Sequence, residues 1–105
     1  MVTGGSGQLG RTIMDVAKGS EHRFIYTYMN SQDHEGMVQL DITDKDAVRR
    51  IVEDNSIDVI VNCAGYTDVE KAEAEEETAF RLNAEAAGLL AETARACGAT
   101  LIHIS

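Results

Sequence analysis

Three glycines, Gly4, Gly7 and Gly10, stand three residues apart in the opening stretch Met1-Val2-Thr3-Gly4-Gly5-Ser6-Gly7-Gln8-Leu9-Gly10. Residues of this kind at this spacing can hold an anion through the backbone alone. Gly4 lets the chain leave a strand at an angle that a side chain penalises. Gly7, with no Cβ, lets a pyrophosphate come close to the main chain, and Gly10 lets the following helix pack tightly. The free N–H groups at the start of that helix, with the helix dipole behind them, form the anion site. A glycine loop is also a common tight turn, so the spacing acquires meaning only from its context. Here β-like residues precede the loop, an amphipathic helix follows it, and an α/β pattern continues downstream.

Other chemistries find less support. Cys63 and Cys97 form neither a C-x-x-C pair nor a metal spacing. Their apolar surroundings predict two buried thiols of a cytoplasmic protein, and no metal site is expected. The net charge is −9 with no basic run, which argues against a nucleic-acid partner or an anionic membrane surface. No apolar run approaches the ~20 residues that span a bilayer. At 105 residues, 44% hydrophobic and 26% charged, the chain suits one small globular domain.

The elements that must position the loop read as follows. Residues 1–3 are short for a buried strand, which usually runs about five or six residues, and the expectation is that part of the strand lies before Met1. A helix is predicted over residues 7–18, with Leu9, Ile13, Val16 and Ala17 on its inner face and Gly19 ending it. Residues 23–29 and 37–40 read as strands around a polar loop. Thr43 is the expected N-cap of a second helix, with Asp46 three residues on and Ala47, Val48, Ile51 and Val52 as the buried stripe. Val59-Ile60-Val61, within a strand over residues 57–62, is a continuous apolar run of the kind covered on both faces. An acidic stretch over residues 70–77 reads as solvated surface. A long helix over residues 76–97 carries Phe80, Ala84, Ala87, Leu90, Ala94 and Cys97 on one face, stops at Gly98, and leads to a strand over residues 100–104. This alternation predicts an α/β fold: a Rossmann-like, doubly wound parallel sheet of five strands in the order 3-2-1-4-5, with right-handed crossovers. No repeat, linker or domain boundary is visible.

Gly4-x-x-Gly7-Gln8-Leu9-Gly10, Asp41-Ile42-Thr43-Asp44, the run from Val61-Asn62-Cys63-Ala64-Gly65-Tyr66-Thr67 to Val69-Glu70-Lys71-Ala72-Glu73, Leu82-Asn83-Ala84 and His103-Ile104-Ser105 together resemble the dTDP-4-dehydrorhamnose reductases, a branch of the extended short-chain dehydrogenase/reductase family. The resemblance runs the length of the chain and covers the first third or so of such an enzyme. It implies that residues 1–105 are the N-terminal part of an NAD(P)-binding Rossmann domain, with the substrate domain lying elsewhere. It implies NAD(P)H-dependent reduction of a 4-keto group on a nucleotide-linked deoxysugar, giving dTDP-L-rhamnose. Carried over by motif, Gly7, Gln8 and Leu9 meet the pyrophosphate within the loop that Gly4 and Gly10 shape. Asp41 and Ile42 lie at the adenine, and Ala64, Gly65, Tyr66 and Thr67 lie along the cofactor. Asn83 matches the helix asparagine that braces the catalytic site.

Each of these residues also has a plainer reading. Asp41 suits any strand end before a helix, Asn83 a helix flank, Lys71 a surface, and His103 a packed strand position. Tyr28, Met29 and Asn30 occupy the end of the second strand, where NAD-preferring folds often carry an acid. Nothing there repels a 2′-phosphate and no Lys or Arg attracts one, so the cofactor is NADP or NAD, with NADPH mildly favoured. The family's Tyr-x-x-x-Lys pair does not occur in these residues, so no catalytic residue is assigned and the 105 residues alone are expected to be inactive. A nucleotide-sugar partner is implied for the full-length protein, and apolar surface left on the last strand and long helix predicts self-association. Two other readings stay open: a non-catalytic NADP-binding subunit similar to the regulatory β subunit of methionine adenosyltransferase, and another sugar-nucleotide epimerase or dehydratase.

Overall fold

The computed structural model describes residues 1–5, 7–29, 36–63 and 76–104. Its elements run β1 (Val2–Thr3), α1 (Gln8–Ala17), β2 (Thr27–Tyr28), β3 (Val38–Gln39), α2 (Lys45–Asp54), β4 (Val59–Asn62), α3 (Glu76–Cys97) and β5 (Thr100–His103). Every strand pair is parallel, with β1-β4-β5 forming one ladder and β2-β3 another. The neighbours are those expected of the order 3-2-1-4-5, but a continuous five-stranded ladder is not formed. A single bridge, Val2 with Tyr26, joins the two parts, supported by Val2 N–H to Ile25 O and Gly5 N–H to Thr27 O, both 2.7 Å. The cause is local. β1 has two residues, and Gly4, at φ 68°, turns the chain out of the strand before a second regular pair forms.

Between β3 and β4 the chain reverses its progress across the sheet. Right-handed crossovers then place α1 on one face and α2 and α3 on the other. The core lies on the second face. Val48 and Val52 of α2, Ala86, Leu90 and Ala94 of α3, and Ile60 of β4 are each at most 3% exposed, joined by Met1, Leu40 and Ile42. Lys45 of α2 reaches Glu92 of α3 at 3.3 Å, an exposed pair of small energetic weight.

Three expectations need correction. The β4 run is not covered on both faces: Ile60 is fully buried, but Val59 is 40% exposed, as its side chain points to the face away from α2 and α3. The inner stripe of α3 is Ala86, Leu90, Thr93 and Ala94 instead of one containing Ala84, which is exposed; the side chain of Phe80 lies outside the described set. On α1, Val16 is 80% exposed, and Leu9, Ile13 and Ala17 are half-buried. The long helix keeps its expected limits, and Gly98 ends it at φ 71°.

Candidate functional site

The glycine loop sits at the carboxyl end of β1, where the strand order reverses between β2 and β4. In open parallel sheets this crevice is where ligands bind. Gly4 carries the positive φ expected of it, and Gly7 N–H closes a turn onto Gly4 O at 3.1 Å. Gly7 is the N-cap of α1 in extended conformation, and its carbonyl accepts the first helical bond, from Arg11 N–H at 2.9 Å. Among the described residues no side chain caps this helix start, and its first turn holds no acid. Gly7 N–H is taken by Gly4 O, but among the described residues the amides of Gln8 and Leu9 meet neither a competing side-chain oxygen nor a repelling carboxylate, which suits a bound anion.

Gly10 explains the tight approach of the helix, with one change of partner. A Cβ there meets Gly4 O and lies 2.6 Å from Gly5 Cα, so at Gly10 the helix packs on the backbone of its own loop. Gly5 is a residue the sequence reading passed over. A Cβ on it lies 3.0 Å from Tyr26 Cβ and 3.3 Å from Thr27 O, so β2 and the loop close together only around a glycine. The Gly4-Gly5 doublet was the available signal.

Asp41 and Ile42 follow β3 and reach the same edge of the sheet. Asp41 is exposed and accepts from Thr43 Oγ1 at 2.6 Å and Thr43 N–H at 2.9 Å. These two bonds, the hydroxyl's foremost, hold its carboxyl below the usual carboxylate range against a small opposing effect of burial. Thr43 is thereby engaged and is not the N-cap of α2. That role belongs to Asp44, whose Oδ1 accepts from Ala47 N–H at 3.2 Å. Asp46 still lies in the first turn, where its charge complements the dipole. The Ile42 side chain is 8% exposed within the core, leaving its backbone as the part that faces outward chemistry. Gln8 and Leu9 open α1. Ala64, Gly65, Tyr66 and Thr67, with Lys71, lie outside the described residues, and Asn83 lies on α3 with its side chain outside them.

A second feature of this edge escaped the sequence reading. Thr3, Asn62 and His103 are register partners across β1, β4 and β5. Thr3 is fully buried and Asn62 is 1% exposed. Thr3 Oγ1 donates to Asn62 Oδ1 at 2.6 Å, and Asn62 Nδ2 lies 3.0 Å from His103 Nδ1. His103 is exposed and not packed away as expected. A Thr and an Asn closing two apolar strands beside the glycine loop were the signal. Of the thiols, Cys63 is fully buried as expected, which pushes its pKa up, but Cys97 is only half-buried because it ends its helix. Among the described residues, no helix is long and apolar enough to cross a membrane.

Comparison with known proteins adds an independent line. Residues 1–105 match the family described as the RmlD substrate binding domain. The chain is 43% identical over all 105 residues to a dTDP-4-dehydrorhamnose reductase of Mycolicibacterium smegmatis, of which it covers 29%. A solved dTDP-4-dehydrorhamnose reductase of Clostridium acetobutylicum superposes with a TM-score of 0.75 at 34% identity, over 95% of this chain and 33% of that one. L-threonine dehydrogenase of Phytophthora infestans superposes with a TM-score of 0.84 at 23% identity, over 97% and 34% of the two chains, a likeness of fold alone. The chain thus spans about a third of the length of the relatives it matches.

Proposed function

This chain belongs to the RmlD substrate binding domain family, and on that premise we propose that it is the N-terminal, cofactor-binding part of an NAD(P)H-dependent reductase acting on the 4-keto group of a dTDP-linked 6-deoxysugar. The observation that carries the reading is the uncapped, acid-free start of α1 at the carboxyl end of β1. That start fits a pyrophosphate, which needs backbone donors and no competing carboxylate.

In this reading the amides of Gln8 and Leu9 hold the pyrophosphate, Gly7, whose own N–H is taken by Gly4 O, lets it approach the backbone, and Gly4 and Gly10 keep the loop close enough to do so. Asp41, ionised over the whole physiological range, and the backbone of Ile42 bind the adenine edge. Ala64, Gly65, Tyr66 and Thr67 flank the cofactor, and Asn83 braces the site from α3. The nicotinamide, when bound, supplies the hydride delivered to the sugar carbonyl carbon. The proton for the resulting alkoxide comes from a hydroxyl acid outside these residues. Tyr28, which ends β2, and Met29 after it offer no carboxylate against a 2′-phosphate, so NADPH is expected to bind at least as well as NADH.

The test is fluorescence titration of the full-length protein with both cofactors, followed by NADPH oxidation with dTDP-4-dehydro-6-deoxy-L-mannose. Binding of NADPH with turnover is expected. A full-length protein that binds neither nicotinamide nucleotide would overturn the reading. The 105-residue chain alone is expected to turn over at less than a tenth of the full-length rate, because hydride donor, carbonyl and acid must be held together.

A further inference from the structure

Thr3, Asn62 and His103 form one transverse row at the carboxyl edge of the sheet, each the parallel register partner of the next. Their side chains therefore stand on the same face. Thr3 has a single hydroxyl proton and gives it to Asn62 Oδ1 at 2.6 Å, so the oxygen end of the amide faces β1 and the nitrogen end faces β5. Nδ2 can only donate. Its partner 3.0 Å away, His103 Nδ1, must then present a lone pair, which places the ring proton on Nε2. Burial of Thr3 and Asn62 to 0% and 1% exposure makes a broken link in this row costly, since neither side chain can turn to water instead.

The row touches three chain segments at once. Thr3 immediately precedes Gly4, Asn62 ends β4 ahead of the stretch assigned above to the cofactor, and His103 ends β5. We propose that Asn62 is a positioning residue of the reductase site: its amide locks the ends of β1, β4 and β5 in one register and orients the His103 imidazole with its lone pair on Nδ1 and its proton on Nε2. This rests on the reductase reading. In this proposal Asn62 acts through the segments that hold cofactor and substrate. The pyrophosphate rests on α1, whereas the row ends on β5, so loss of the amide should disturb turnover more than cofactor affinity.

The experiment combines histidine 15N NMR of the full-length protein, above the imidazole titration range, with steady-state kinetics of Asn62→Asp and Asn62→Ala. The wild type should show His103 as the Nε2–H tautomer. Asn62→Asp keeps an acceptor for Thr3 but has no donor for the ring, so His103 should move to the Nδ1–H form. Asn62→Ala should lower kcat at least tenfold and change the KM for NADPH less than threefold. An Nδ1–H tautomer in the wild type, an unchanged tautomer in Asn62→Asp, or a kcat within twofold in Asn62→Ala would each overturn the proposal. The wild-type spectrum needs no substrate and no folded variant, so it decides the tautomer by itself. A wild type with the Nε2–H tautomer but no ketoreductase activity would instead sink the reductase reading, and the positioning role with it.

Discussion

Gly10 shows how one hydrogen atom in place of a methyl group shapes a site. A Cβ there sits 2.6 Å from Gly5 Cα, and neither that backbone nor the helix carrying Gly10 can move without opening the loop. Gly10→Ala should therefore destabilise the full-length protein by about 1–3 kcal/mol, the usual range for forced overpacking, and should weaken NADPH binding in parallel. Denaturant melts and cofactor titration check both. Gly7→Val is the contrasting case. Gly7 has φ −78° and ψ 172°, an extended conformation that β-branched residues adopt freely, so the fold should survive while cofactor binding is lost to the added bulk. Calorimetry on the full-length variant measures this, and wild-type affinity would mean that the loop is only a turn. The two thiols separate in the same way. Burial raises the Cys63 pKa and denies reagent access, so in native protein Cys97 should react with a thiol reagent well before Cys63, as mass spectrometry of the labelled peptides would show.

At the scale of elements, α2 offers the clearest test, because two neighbouring side chains do different work. Asp44 caps the helix, and Asp44→Ala should cost about 1 kcal/mol in denaturant melts. Thr43 instead serves Asp41. Thr43→Ala should return the Asp41 carboxyl toward its ordinary value. A carboxyl whose folded pKa is depressed contributes stability above its unfolded pKa and loses it as pH falls through the folded value. The variant's stability should then depend less on pH across the acid range below that ordinary value, which melting temperature against pH would reveal. The sequence reading took Thr43 as the cap and missed Asp44, as both are good caps and only the turn at Asp41 engages one of them. The limits of α3 were legible because Gly98 and the acid-rich start are local signals. Its buried stripe was legible only at Leu90 and Ala94, since the rotation of a helix is set by what it packs on, and alanine-rich sequence marks no single face. The glycine loop could be read because its meaning is backbone geometry; the Thr3–Asn62–His103 row could not, as strand register is settled only when strands pair.

For the whole molecule, alternation of strands and helices was enough to give the parallel α/β architecture and the neighbours of each strand. It did not reveal that one face would stay open. An apolar run such as Val59-Ile60-Val61 looks the same whether one face or both are covered, and the coverage depends on helices that cross on each side. Here α2 and α3 cover one face, and α1 leaves part of the other open. Val59 and Ile102 are left 40% and 46% exposed. Val61, half-buried, is the register partner of Ile102 and stands with them on that face. β5 is also the outer strand of its ladder among the described residues, with main-chain groups open to a further strand. An apolar face beside an open edge is a template for association. The 105-residue chain by itself should therefore self-associate, its weight-average mass in sedimentation rising with concentration through the micromolar range. Ile102→Lys places a charge at the middle of this face without touching the core against α2 and α3, and should lower the association constant at least tenfold while leaving the helical circular dichroism unchanged. A chain that stays monomeric throughout, or an Ile102→Lys variant that associates as strongly, would show that the exposed face is not what draws copies together.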